Sequence, residues 1–163
     1  MKQLLISYTA YEIWANEQLL QLATDLSPEE QNQPIVSSFP SVHNTFLHMW
    51  DAASAWWQRL QMHEQVVMPS LSFHPSMKDI ANGLLHQNHQ WYSFVKEASE
   101  DMLLASLPYK NIRGEHYTQP VAEIVLHLSN HGTYHRGQVV TMLRQLGIER
   151  IPQTDYILFT RQK

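Results

Sequence analysis

The sequence contains no cysteine, so a disulfide framework, a thiol nucleophile and a Cys-based zinc site are all excluded. Charge is sparse as well. Only 16% of the residues are charged, with 11 Lys and Arg against 15 Asp and Glu and a formal net charge of −4. No Lys/Arg cluster offsets that balance, and the electrostatic footprint of a nucleic-acid or anionic-membrane binder is therefore missing. No apolar run approaches the roughly 20 residues of a membrane span, and the opening Met1-Lys-Gln-Leu-Leu-Ile-Ser-Tyr turns polar before a signal-peptide core can form. The expectation is a soluble cytoplasmic protein. Its 163 residues suit one domain, 1–163, large enough to bury a real core. Without cysteine, any metal must be held by His, Asp, Glu or water.

What is present is helical periodicity. Apolar positions recur in helical order over residues 3 to 24 (Leu4, Leu5, Tyr8, Tyr11, Ala15, Leu19, Leu22) and stop before Ser27-Pro28. A polar stretch with Pro34 and Pro40 follows. Ser41 is placed to cap a second helix running to about His63 through Phe46, Met49, Trp56, Trp57 and Leu60. Pro69 and Pro75 mark a loop, and Ser76 caps a third helix that ends near Leu107-Pro108. Residues 107 to 118 set a glycine between two short aromatic segments, which suits a small hairpin or an extended crossover. Pro120 suits the first turn of a fourth helix reaching Gln145 or Leu146, with Gly147 to end it, and the tail from Ile151 to Thr160 is apolar enough to pack back. Four helices joined in this way predict an all-α four-helix bundle, an architecture that builds metal sites from facing helices.

Histidine is the residue that stands out. Three of the 10 fall four apart, His127, His131 and His135, in the run Leu126-His-Leu-Ser-Asn-His-Gly-Thr-Tyr-His-Arg-Gly-Gln138. With His131 set at zero on a wheel of about 100° per residue, Val121, Ile124, Leu128, Val139, Met142 and Leu146 fall between roughly 20° and 80°. His135 lies within that stripe at about 40° and His131 at its margin, whereas His127 sits out at about −40° beside Gln138 at about −20°. An imidazole among aliphatic side chains needs partners for its nitrogens, and a metal ion is one.

One helix cannot complete such a site. Residues four apart rise by about 6 Å, so a single ion takes two of the three histidines. A third ligand has to come from elsewhere, and the second helix offers His43, His48 and His63. Small neighbours at Thr45, Ala52 and Ala55 leave room for His48 to reach across, but the apolar arc of that helix is centred away from it, and periodicity does not choose. The remaining histidines, His43, His63, His74, His86, His89 and His116, read as solvated or loop residues. The five tryptophans read as core and interface anchors.

Four segments, in order, carry a family resemblance. Tyr11-Glu-Ile-Trp-Ala-Asn-Glu-Gln-Leu-Leu20, Ser38-Phe-Pro-Ser-Val-His-Asn-Thr-Phe-Leu-His48 with Asp51 and Trp57, Asn130-His-Gly-Thr-Tyr-His-Arg-Gly-Gln138, and Pro152-Gln-Thr-Asp-Tyr-Ile-Leu-Phe-Thr-Arg161 together resemble the DinB family of the DinB/YfiT-like superfamily. The resemblance spans nearly the whole chain. It implies an up-down-down-up four-helix bundle, usually dimeric, with a divalent metal, zinc or nickel, held by His48, His131 and His135 and completed by water. It casts His127 as a cavity-wall residue able to hydrogen-bond but not ligate, and Asp51 as a group that orients His48. Gln138, beside His127 on the wheel, joins them around the ligands.

Three imidazoles with open positions form a catalytic rather than a structural arrangement. Such an ion can activate water for hydrolysis or bind an incoming thiolate. Superfamily relatives look like transferases and isomerases using low-molecular-weight thiols such as bacillithiol or mycothiol, or like metal-dependent hydrolases. The expected partner is therefore a small molecule, a thiol among them, with no nucleic acid and no membrane, in a homodimer. The contrasting expectation is a non-catalytic, stress-response metal protein whose ion is structural.

Overall fold

A computed structural model describes residues 1–111 and 113–162. Four long helices dominate it: α1 (Lys2–Asp25), α3 (Val42–Leu60), α5 (Met77–Glu97) and α7 (Val121–Gln145). Between and after them lie the short helices α2 (Pro28–Asn32), α4 (Pro69–Ser72), α6 (Glu100–Leu104) and α8 (Tyr156–Thr160), with strands β1 (Ser106–Lys110) and β2 (His116–Pro120). Both α1 and α3 pack against α5 and α7, so the long helices form a ring. Cross-contacts fix their directions. Thr45 meets Met142 and Trp56 meets His127, which makes α3 antiparallel to α7. His43 bonds Pro75 and Trp91 bonds Ala53, which makes α5 parallel to α3. Leu5 clusters with Val121 and Ile124, Leu19 and Leu20 with Val139 and Met142, so α1 runs with α7. The order is up-down-down-up. No helix among the described residues is long and apolar enough to cross a membrane.

The caps act as the sequence suggests. The Ser41 hydroxyl accepts the Asn44 N–H at 3.1 Å, and Ser76 with Asp79 forms a reciprocal capping box at the start of α5. Gly147, at φ 85°, closes α7 while the Ile148 N–H bonds back to Leu143, the left-handed termination that glycine permits. Met62 takes the same role after α3 at φ 58°, ending that helix at Leu60 rather than His63. Pro120 ends β2 and stands just before the first turn of α7 rather than inside it.

Three connections differ from the sequence expectation. The third helix does not run to Leu107: Ala98 turns extended and Ser99 caps the separate α6 by accepting the Met102 N–H at 3.1 Å. The polar stretch after α1 contains α2, started by a Ser27–Glu30 capping box, and Pro69 opens α4 inside the expected loop. The segment before α7 does match the expectation: it is a hairpin, with Leu107 opposite Gln119 and Tyr109 opposite Tyr117 in an antiparallel register. Gly114 turns it at φ 79°, and Ile112, part of the predicted segment, lies outside the described residues. The tail folds back on α1, where Tyr156 stacks on Tyr8 and the Tyr11 hydroxyl donates to the Thr154 carbonyl at 2.7 Å.

The core is divided. One apolar cluster joins Leu19, Phe46, Ile80 and Met142; the other joins Leu5, Trp91, Leu103 and Val125. Between them runs a polar layer holding Glu12, Asn16, Asn88, Ser129, His135 and Arg136, all buried.

Candidate metal centre

Two helices bring His135 of that layer together with two half-buried histidines at its edge. The Nε2 atom of His131 lies 3.0 Å from Nε2 of His48 on α3 and 3.1 Å from Nε2 of His135 on its own helix. One ligand atom from each falls within 4.8 Å of the others, a grouping that can hold a metal ion. His135 is 3% exposed, and the other two are half-buried.

The surroundings aim these nitrogens. His135 donates from Nδ1 to Oε1 of Gln138 at 2.8 Å, because an amide oxygen can only accept. That bond leaves the His135 Nε2 lone pair directed at the cluster. Gln138 in turn donates to the Ser38 hydroxyl at 2.7 Å, tying α7 to the segment ahead of α3. Phe39, in that segment, stacks on His48 with ring centroids 4.1 Å apart and 23° between planes.

Protons do not suit this convergence. Burial first, then the charges of His135, His48 and His127, pushes His131 down to about 3. Burial, reinforced by His135 and opposed by Asp51, takes His48 to about 4. Burial also lowers His135, although its bond to Gln138 works the other way. Near neutral pH three neutral imidazoles thus turn their Nε2 atoms on one region. Such a group could hold a divalent cation.

The other expected residues fall around the ligands. His127 is exposed, its pKa lowered by burial of part of the ring, and it touches Trp56 and His131 at centroid distances of 5.8 and 5.6 Å. Asp51 is buried one turn beyond His48, where its Oδ1 accepts the Ser70 N–H at 2.9 Å and its charge acts on His48. A cleft of about 500 Å³ opens on His48, His131, His127 and Asp51, with Trp56, Arg59 and Lys110 also on its walls. Of the histidines expected to be solvated or in loops, His43 is the exception: half-buried, its Nε2 bonds the Pro75 carbonyl at 2.9 Å.

The sequence reading passed over the partner on the opposite flank of α7. Arg136, 2% exposed, donates to both carboxylate oxygens of Glu12 at 2.8 Å, to Asn16 at 3.1 Å and to Thr133 at 2.9 Å. Burial pushes the Glu12 carboxyl up against the opposing pull of Arg136, whose guanidinium grips both its oxygens. Gly132 makes room for it: a Cβ there would collide with the Glu12 carboxylate. A cavity of about 30 Å³ is lined by Glu12 and Asn16 on one side and His131 on the other. The signal that could have pointed to Glu12 was a carboxylate and an amide four residues apart, Glu12 and Asn16, on a helix of otherwise apolar periodicity.

A mainly helical chain with a three-histidine cluster at the mouth of a cleft defines a class: helical proteins with a candidate metal centre. The chain belongs to the DinB family, whose model matches residues 1–163. It is 28% identical over 158 residues to Protein DinB of Bacillus subtilis (strain 168), covering 91% of this chain and 89% of that one. Its fold is similar to the crystal structure of a DinB-like protein from Bacillus cereus ATCC 10987, with a TM-score of 0.64 at 20% identity over 85% of this chain and 89% of that chain.

Proposed function

We propose that the chain is a metal-dependent enzyme in which His48, His131 and His135 hold zinc or nickel, and that it transfers a low-molecular-weight thiol to an electrophile. The observation carrying this reading is that three neutral imidazole nitrogens converge where the cleft opens, so that a small molecule has access to the same point. A bound divalent ion would supply Lewis acidity, lowering the pKa of a thiol or water that joins it. The chain's own residues do the rest. Gln138 fixes the tautomer of His135, Phe39 braces His48, and Trp56 and His127 form a wall against which an electrophile can lie. Hydrolysis at the same centre is the competing chemistry, and the open cleft argues against a purely structural ion. With no basic cluster to attract nucleic acid, a small-molecule substrate and a homodimeric state complete the proposal.

The test loads purified protein with one equivalent of zinc or nickel and follows thiol consumption with a panel of electrophiles. Metal-dependent consumption that disappears in His131→Ala is the expected result. Ester or amide hydrolysis without thiol consumption would reassign the site, and metal binding that raises thermal stability without either activity would establish a structural ion.

A further inference from the structure

Arg59 is the one guanidinium on the cleft wall among the described residues, and its position differs from that of Arg136. Both arginines have an Nε buried without a partner, but where Arg136 spends its terminal nitrogens on Glu12, Asn16 and Thr133, those of Arg59 make no hydrogen bond and no ion pair among the described residues. Burial lowers its pKa, opposed by Tyr109. It is nonetheless held in place. The guanidinium carbon lies 4.8 Å from the centroid of Trp56 and 5.6 Å from that of Tyr109, so α3 and β1 together fix a cation whose donor edge is unused.

Helix geometry aligns that cation with the metal centre. His48, Ala52, Ala55 and Arg59 are spaced by four, three and four residues and share one face of α3, and all four line the cleft. The two alanines leave an unobstructed floor between the histidine and the arginine. The Cα atoms at its ends are separated by roughly 16 Å along the axis. Lys110 on β1 adds a second cation. Two carboxylates share the wall: Asp51 is occupied by the Ser70 N–H, and Glu64 is exposed. Net charge is therefore not the selecting feature; the placement of an unpaired planar fork is.

We propose that Arg59 anchors an anionic group, a carboxylate or a phosphate, of an extended small molecule whose reacting end lies at the three histidines. A planar guanidinium with free parallel donors matches either group in two-point fashion, as a lysine does not. The assignment rests on the reading of the cleft as a substrate site and specifies what that site selects. Arg59 is a specificity-determining residue, remote from the reacting atoms.

The test observes Arg59 itself. In 15N-labelled, zinc-loaded protein, its side-chain Nε–H signal, identified by its absence in Arg59→Lys, is titrated with succinate, with inorganic phosphate and with neutral succinamide. A saturable shift with an anion and none with succinamide is expected; which anion acts distinguishes a carboxylate from a phosphoryl ligand. By calorimetry, Arg59→Gln should weaken that binding at least about 10-fold, the scale of charge-assisted hydrogen bonds, while zinc affinity stays unchanged. Equal response to succinamide, no saturable shift, or anion affinity unaltered by Arg59→Gln would overturn the assignment, the last because the anion would then sit on the metal. Failure to consume thiols would overturn the proposed reaction and leave the Arg59 shift intact, so the two are separable.

Discussion

His135 and Arg136 are neighbours in sequence, yet they enter two polar clusters with opposite character. Arg136 turns toward α1 and closes on Glu12 and Asn16, so that charge balances inside the chain and both terminal nitrogens of the guanidinium are bonded, although its Nε is not. His135 turns toward α3 and joins two other imidazoles, a cluster of acceptors that lacks a cation of its own. Buried polar groups are normally satisfied. The closed cluster therefore belongs to the fold, and the open one, beside a cleft, could take a cation from outside.

The largest expected effect breaks the closed side. Glu12→Gln leaves Arg136 buried with its counter-charge gone and should destabilise the protein by about 3–5 kcal/mol in urea unfolding. Replacing both partners, as Glu12→Leu with Arg136→Met, should recover most of that loss, because similar volume without charge removes the desolvation cost. A single variant as stable as the parent would show that the pair contributes nothing to the fold.

On the open side, His135→Ala should leave folding of the metal-free protein largely intact while lowering zinc affinity more than 100-fold, beyond the roughly 10–100-fold typical of an outer partner. Competition against a chelating dye reads this directly. Unchanged affinity would remove His135 from the ligand set. Gln138→Leu tests the next layer: loss of the Nδ1 bond should cost about 10–100-fold in affinity, less than loss of the ligand itself.

The smallest effect is the response to acid. Because His48 and His131 are held at about 4 and about 3, the unfolded chain takes up protons near 6.5 that the fold refuses. Stability of the metal-free protein is therefore full above about pH 6.5 and falls as pH drops toward 4, levelling near 3. Partial solvent exposure keeps the change modest. Melting temperatures recorded from pH 8 to 4 should decline, and His131→Ala should flatten the curve; a rise toward acid would contradict the assignment.

The open cluster was more legible in the sequence than the closed one, and the reason is local spacing. The i,i+4 pair His131 and His135 on an apolar stripe is visible within one helix, and so is the outward position of His127. His48 was not, because the apolar arc of α3 faces elsewhere and only the family resemblance singled it out. Arg136 was invisible for a stronger reason: its partner lies 124 residues away, and an isolated arginine reads as surface. The wheel located the part of α7 that faces the core. Burial extends further round, through Val125, Ser129, Gly132 and Leu143, because α1 covers the adjoining flank. The four long helices were read from periodicity, whereas α2, α4 and the break before α6 depend on single serine and proline caps within polar stretches. Trp56 and Arg59 had no distinguishing pattern, since a cleft is a property of how α3 meets the hairpin.

X-ray absorption at the zinc edge of protein carrying one equivalent of zinc tests the open cluster most directly. The account predicts three imidazole nitrogens at about 2.0–2.1 Å with a light-atom donor from solvent, and one imidazole fewer in His48→Ala. A sphere without histidine, or one unchanged in His48→Ala, would contradict it.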